Sequence, residues 1–396
     1  MENSIYHSKA VYNCLKQLNL CRIFPHIVIR HIPAVLIAVF SRGYKGKTVN
    51  FQDYSPCHRT TIAHFLNKGK WDSARLEDIL KDAVTDFIYR EALATGKPVF
   101  CIVDDTIASK TKPSSRALHP IEGAYFHKSH LKGKQDYGHQ AVAVMLSCNG
   151  IVLNYAVVMY NKSISKIEIV KRIAGELPIP PVVSYFLCDS WYTSKDIIKA
   201  FLKRGFYTVG ALRTNRTLYP CGIKCSIRGL AFHMRKTDRN VSLVTAGSRK
   251  YYVYRYEGKL NGIEDAVVLI SYPAGAFHNP KALRAFICTD TSLITQEILD
   301  TYMARWPVEV YFRQAKNILA FDKYQIRSAK GICRYWLLMS LAHFLCCTTE
   351  YNGMPFAKFE NGYAFFSQKI RKERIEYFYR CGASGVPLEK VLTLAQ

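Results

Sequence analysis

Read for the spacing of apolar and polar positions, the chain changes character several times. Residues 1–97 follow helical spacing. Positions 32–41 form an apolar segment that stops at Gly43, and Ser55-Pro56 has the form of a cap followed by a first-turn proline. That start predicts a helix running to Leu66 and halted by Asn67-Lys68-Gly69. A third helix is expected from Asp72 or Ser73 to about Leu93.

Residues 98–212 switch to strand patterning. Positions 98–103 are a compact apolar run that leads straight into Asp104-Asp105-Thr106. A polar loop is expected next. Two strand-like runs follow, 139–147 and 151–160, joined by the turn signal Cys148-Asn149-Gly150. Residues 165–177 have helical spacing and end at a proline-rich break; 182–188 is a buried strand ending at Asp189; 194–203 reads as a helix and 207–212 as a strand. The order is three strands, helix, strand, helix, strand, which is the ribonuclease-H-like α/β order. It sets acidic residues at the ends of the first and fourth strands. Residues 213–290 carry alternating strands such as 250–256 and 266–272, with turns at Gly258 and Asn261-Gly262, and read as a β-rich insertion. From 291 to 349 the pattern is mostly helical again, and 350–396 forms a helical C-terminal segment.

Charge adds a partner. Lys and Arg total 55 against 30 Asp and Glu, a formal net charge of +25. The excess is spread: 14 basic and 8 acidic residues in 1–97, 27 and 15 in 98–300, 14 and 7 in 301–396. A field of one sign over the whole body suits a long polyanion such as double-stranded DNA, with a ribosome-associated or merely basic protein as the alternative. In that light the short N-terminal helices, edged by Arg59, Lys68 and Lys70, fit a helix-turn-helix DNA reader as well as a plain helical cap. The thirteen cysteines are odd in number and mostly lie singly in apolar stretches, so a reducing compartment is expected. No signal peptide is evident, and the near-apolar run 335–347 is too short to span a bilayer. A cytoplasmic, nucleoid-associated protein without a membrane partner is the expectation.

Carboxylates at the ends of neighbouring buried strands are costly unless their charge is compensated. Two divalent cations would do so, and would also serve phosphodiester chemistry. A third carboxylate is then needed from a helix beside the sheet, and Glu309 is the natural supplier. Tyr302, Arg305, Glu309 and Lys316 lie at offsets of 3, 7 and 14 residues from the first. At roughly 100° per residue they share one narrow helical face. Pro307 either kinks that helix or begins a second one with Glu309 in its first turn.

These residues carry a resemblance. Tyr302-Met-Ala-Arg305-Trp-Pro-Val-Glu309, with Lys316 seven residues on, matches the Y-x2-R-x3-E-x6-K signature of DDE transposases from bacterial insertion sequences (the insertion-sequence-four-like subgroup). Val103-Asp104-Asp105-Thr106 is similar to the first-aspartate motif of that family, and Cys188-Asp189-Ser190-Trp191 to the second. The resemblance implies that Asp104, Asp189 and Glu309 bind two Mg2+ ions, with Mn2+ as a substitute. It also implies that Tyr302, Arg305 and Lys316 contact DNA at the transposon ends. Adjacent strand residues face opposite ways, so only one of Asp104 and Asp105 can serve. The family's Asp-x-Ser/Thr pattern favours Asp104, with Asp105 as second choice. The expected activity is cleavage at inverted ends and strand transfer to target DNA, by a homodimer on DNA. A related two-metal nuclease or resolvase would use the same residues, and a non-catalytic DNA-binding derivative is the other alternative.

Several lesser candidates have blander readings. Cys221, Cys225 and His233 lack a second ligand pair for zinc. His127, His130 and His139 read as loop histidines near phosphate. Trp191 either stacks on a base or packs beneath the insertion, with packing favoured. Residues 359–380 suit dimerisation or DNA binding equally.

Overall fold

The computed structural model describes all residues except 1–5, 42–43, 48–50, 52–53, 56, 118–119, 130–132, 261, 352 and 396. Five helices open the chain: α1 (Lys9–Gln17), α2 (Leu20–Ile23), α3 (His26–Phe40), α4 (Arg59–Asn67) and α5 (Ser73–Thr95). Residues 31–40 of α3 are all buried, which explains a continuous apolar run where a surface helix would show a stripe. The helix begins at His26, earlier than its apolar run, because His26 and Ile27 face solvent. The expected Ser55 cap is displaced. α4 starts at Arg59 with His58 as its N-cap, while the Ser55 hydroxyl accepts the Cys57 N–H within a preceding turn. Pro56, Gly43, His130 and Asn261 lie outside the described residues. α5 opens with Asp72 accepting the Arg75 N–H at 2.9 Å and closes at Gly96, whose φ of +67° is the left-handed cap conformation.

The central elements are β1 (Val99–Ser109), β2 (Tyr125–Ser129), β3 (Lys134–Cys148), β4 (Ile151–Tyr160), α6 (Lys166–Glu176), β5 (Ser184–Cys188), α7 (Lys195–Leu202) and β6 (Phe206–Leu212). β4, β3 and β1 are antiparallel neighbours; β5 lies parallel to β1, and β6 parallel to β5. Both helices start one residue after a serine that caps them, Ser165 for α6 and Ser194 for α7. The stretch expected as a polar loop is partly strand. β1 continues to Ser109 and pairs with β3 as far as Gly138, and β2 pairs with the start of β3. Residues 104–109 are mostly half-exposed, so their pairing left no apolar signature.

The β-rich stretch comprises β7 (Thr217–Leu218), β8 (Cys225–Ser226), α8 (Ile227–His233), β9 (Val241–Ala246), β10 (Arg249–Leu260), β11 (Ile263–Pro273) and β12 (Arg284–Cys288). It does not stand apart. β12 pairs with β6, giving one twelve-stranded sheet in the order β2-β3-β1-β5-β6-β12-β11-β10-β7-β8, with β4 on β3 and β9 on β10. The molecule is therefore a mixed α/β protein built on one large sheet.

The chain ends with α9 (Thr295–Met303), α10 (Pro307–Asn317), α11 (Ala329–Thr348), β13 (Glu350–Tyr351), β14 (Met354–Pro355), α12 (Phe359–Ala383) and α13 (Leu388–Ala395). α11 extends beyond the apolar run expected to be too short. By length and composition it could cross a membrane, yet its apolar window is 83% buried inside the fold, as in a core helix. It contacts β4 on one side and α3, α4 and α12 on others. Arg334 fixes this arrangement. Its guanidinium, 2% exposed as a residue, donates to the carbonyls of Phe65, Leu66, Gly69 and Trp71 and stacks 4.6 Å from the Trp71 ring. The bonds to Phe65, Leu66 and Trp71 are buried, and that to Gly69 is partly so. Arg334→Met is expected to lower the unfolding free energy by about 3 kcal/mol, since several buried acceptors lose a charged donor; urea denaturation checks this.

Candidate active site

β1 and β5 run side by side with Phe100 opposite Tyr185 and Val103 opposite Cys188. The next residue of each strand is an aspartate. Asp104, midway along β1, and Asp189, just past the end of β5, therefore sit side by side on two adjacent parallel strands, above buried Cys101, Val103, Leu187 and Cys188. Taking carboxylates into such a place costs hydration. Burial pushes the Asp104 pKa up to about 6; Arg305 and the Asp105 N–H pull it down, while the charges of Asp189 and Asp105 push it further up.

Arg305 is the compensating cation. Its Nη1 donates to Asp104 Oδ2 at 2.8 Å and its Nη2 to Glu309 Oε1 at 2.7 Å. Burial works against the guanidinium charge, but Asp104, Tyr302 and Glu309 around it hold its pKa above the ordinary value. One planar fork thus bridges two carboxylates, the geometry guanidinium favours. Asp189 instead accepts the Trp191 N–H through Oδ1 at 2.9 Å, bracing the loop that follows β5.

The four residues of the signature do not share one continuous helix. α9 ends at Met303, a turn contains Arg305, and α10 begins at Pro307 with Glu309 in its first turn. Proline has no N–H to donate to a preceding turn, so the second of the two expected arrangements is the one found. Tyr302 packs on Phe286 of β12 at 4.7 Å, and burial raises its hydroxyl pKa, with Arg305 close enough to lower it in part. Lys316, in the last turn of α10, donates to Thr106 Oγ1 at 2.6 Å and to the Ile107 carbonyl at 3.0 Å. It ties α10 to the strand that carries Asp104.

Asp105 points the other way, as strand alternation requires. Its Oδ2 accepts from Lys166 Nζ at 2.7 Å and from the Tyr192 hydroxyl at 2.8 Å, and its Oδ1 from the Gln140 amide. Lys166, Tyr192 and Gln140 were not singled out from the sequence. One signal was available: Lys166 is the first residue of α6 and 9% exposed, and a cation at a helix N-terminus opposes the macrodipole unless an anion meets it.

Other candidates find different places. His139 and His127 are not loop residues facing phosphate; both are buried on strands. His139 bonds the Glu122 carbonyl and the Tyr324 hydroxyl, each at 2.9 Å, and burial lowers its pKa to about 4. Trp191 is 38% exposed, edge-on to Tyr192 and 4.9 Å from Lys166 Nζ. Cys221 and Cys225 are free thiols. Among the described residues no three His, Cys, Asp or Glu side chains lie close enough to share one ion in this arrangement, Arg305 taking the space between Asp104 and Glu309. The donor set is nonetheless all carboxylate oxygen, the kind that suits Mg2+ or Mn2+. Asp104 and Glu309 already converge on one cation, and Asp189 could complete such a set.

A sheet with neighbouring carboxylates on and just after adjacent parallel strands, and a third from an adjoining helix, defines a class of α/β proteins with an acidic site on the sheet. The sequence matches the family described as "Transposase DDE domain" over residues 95–345, and the protein belongs to that family. The fold is also similar to a piggyBac transposase solved as a synaptic complex with hairpin DNA, at a TM-score of 0.45 and 11% identity, covering 88% of this chain and 72% of that one. No curated protein matches the sequence.

The two aspartates differ in their expected response to substitution. The folded Asp104 carboxyl binds its proton more tightly than the unfolded chain's, whose ordinary value is 3.8. Its contribution to stability is therefore greatest below that value and declines as pH rises through about 6, by at most about 3 kcal/mol. In EDTA, Asp104→Asn should be more stable than wild type at about pH 7.5 and close to it at about pH 4; denaturant titrations at both pH values check this. Asp105→Ala should instead destabilise by about 3–5 kcal/mol at neutral pH, because Lys166 is left buried without its partner.

Proposed function

We propose that the protein is an insertion-sequence DNA transposase that cleaves phosphodiester bonds at the ends of its element and joins the freed 3′-hydroxyls to target DNA. The reading rests chiefly on one observation: Asp104 and Glu309, far apart in sequence, share a single guanidinium beside Asp189. The strands β4-β3-β1-β5-β6 with α6 and α7 are taken as a ribonuclease-H-like catalytic unit, interrupted before Glu309 by the strands β7 to β12. Residues 1–97 would form a helical domain that helps hold DNA.

Asp104, Asp189 and Glu309 would hold the divalent cations, Mg2+ in the cell and Mn2+ as a substitute. Bound there, such ions lower the pKa of the attacking water or hydroxyl and offset charge on the leaving oxygen. The remaining work falls to the chain. Arg305 leaves the carboxylates and takes up a DNA phosphate, for which its planar fork is equally suited. Tyr302 and Lys316 flank it and position the same backbone, while Asp105 stays with Lys166 and Tyr192 and keeps β1 in place. Because two ends are cut together, the working form is proposed to be a homodimer on DNA.

The direct experiment incubates purified protein with DNA carrying the inverted ends that flank its reading frame, in Mg2+ or in EDTA. Cleavage and strand-transfer products are expected only with the metal. Glu309→Gln and Asp189→Asn should each lower the cleavage rate by roughly 10²–10³ or more, the scale of losing one electrostatic element of such a site. Cleavage unaffected by Glu309→Gln in a folded protein would sink the mechanism.

A further inference from the structure

The far edge of the sheet carries a second concentration of charge. Residues 213–250 contain nine Lys and Arg but a single acid, Asp238. Eight of the nine cations are exposed, Arg216 being half-buried. Among the described residues no ion pair reaches any of them. Asp238 offsets only one of the nine charges, and its Oδ2 accepts the Arg235 N–H at 2.7 Å within its own turn. A surface of unpaired like charges repels itself, and a polyanion that releases its counterions relieves that repulsion.

An apolar feature rises from the same surface. Phe232 is 75% exposed and Ile223 68% exposed. Phe232 does not project from a loose segment. α8 is pinned by Ile227, Ala231 and the following Met234, all buried in a core cluster formed with Leu218, Leu260 and Ile270. Arg228 precedes Phe232 by four residues and so shares its side of the helix. Leu230, His233 and Arg239 line one hollow of about 270 Å³ beside α8, which puts the Arg239 side of the following turn against the same helix. An exposed aromatic ring on a helix pinned to the core, with arginines one turn before it and in the following turn, matches a groove of duplex DNA, where cations meet phosphates and an apolar wedge meets the base steps.

We propose that α8 and the turn after it, through Arg228, Phe232, Arg235 and Arg239, form a duplex-DNA docking surface separate from the carboxylate site. The inference rests on the transposase reading for its choice of polyanion. The guanidiniums grip phosphates and fix the path of the duplex. Phe232 makes the apolar contact and adds no charge. The two kinds of residue should therefore separate in a salt titration.

The test uses the full chain in EDTA, with a fluorescein-labelled duplex of arbitrary sequence and anisotropy read over a range of NaCl. In the triple variant Arg228→Ala/Arg235→Ala/Arg239→Ala, the slope of log K against log salt should fall by roughly 2–3, as expected when about three phosphate contacts are lost. The matching triple Arg→Lys protein should keep the wild-type slope. Phe232→Ala should lose affinity several-fold with the slope unchanged. If the triple alanine protein misfolds, Arg228→Gln and Arg235→Gln alone, each lowering the slope by about 1, carry the test. A wild-type slope and affinity in these variants overturns the inference, and so does a loss confined to single-stranded DNA. Neither result touches the carboxylate site, whose cleavage assay reads independently; a wild-type protein that binds no duplex at all would instead overturn the transposase reading.

Discussion

The arrangement of the site depends on an electrostatic constraint. Asp104 and Glu309 meet on one guanidinium beside the sheet, with Asp189 just past the neighbouring strand, and the burial of the Asp104 carboxylate calls for a cation next to it. In this structure that cation is Arg305. It reaches both acids from the turn between α9 and α10. A lysine could supply the same charge but not the planar fork that reaches Asp104 and Glu309 at once. The raised Asp104 pKa is the residue of this compromise: the guanidinium offsets part of the burial cost and leaves the rest.

Two adjacent aspartates escape competition through the geometry of a strand. Side chains on β1 alternate, so Asp104 faces Arg305 while Asp105 meets Lys166, Tyr192 and Gln140 on the other face. Asp105 joins four elements at one point: β1, β3 through Gln140, α6 through Lys166, and the loop after β5 through Tyr192. That loop also carries Asp189. Asp105 is held by three side-chain donors from three elements, whereas Asp104 meets Arg305 and the Asp105 N–H.

Much of this was legible in the sequence because the main signals are local. Apolar runs that stop at an aspartate marked the first half of β1 and the end of β5, and helical spacing placed α5, α6 and α7 to within a residue or two of their starts. Alternation showed that Asp104 and Asp105 face opposite ways, while the preference for Asp104 came from the resemblance. What was not legible depends on partners distant in the chain. The polar half of β1 forms a strand because β3 offers it a ladder, and no apolar pattern records that. His127 and His139 look like loop residues until β2 and β3 are seen to bury them. The stripe of Tyr302, Arg305, Glu309 and Lys316 was drawn on one helix, yet Pro307 starts a second, so proximity survived while the angular picture did not. Lys166 escaped notice because its partner lies in a different strand.

The strands between Asp189 and Glu309 bear on how the third carboxylate is placed. β12 continues the sheet from β6 and leads directly into α9, so the register of β12 on β6 sets where the helix pair bearing Glu309 begins. Two further ties hold it there. Gln296 of α9 donates to the Thr245 carbonyl of β9 at 2.7 Å, and the Tyr185 hydroxyl of β5 donates to Asp290, just beyond β12, at 3.0 Å. On the other side, Arg216 beside β7 donates to the Thr193 carbonyl in the loop after Asp189 at 2.8 Å. The inserted strands thus touch both the loop that follows the second aspartate and the helix that precedes the glutamate. A chain shortened through this region would lose more than an outer surface: it would lose the framework that brings residue 309 back to residue 104.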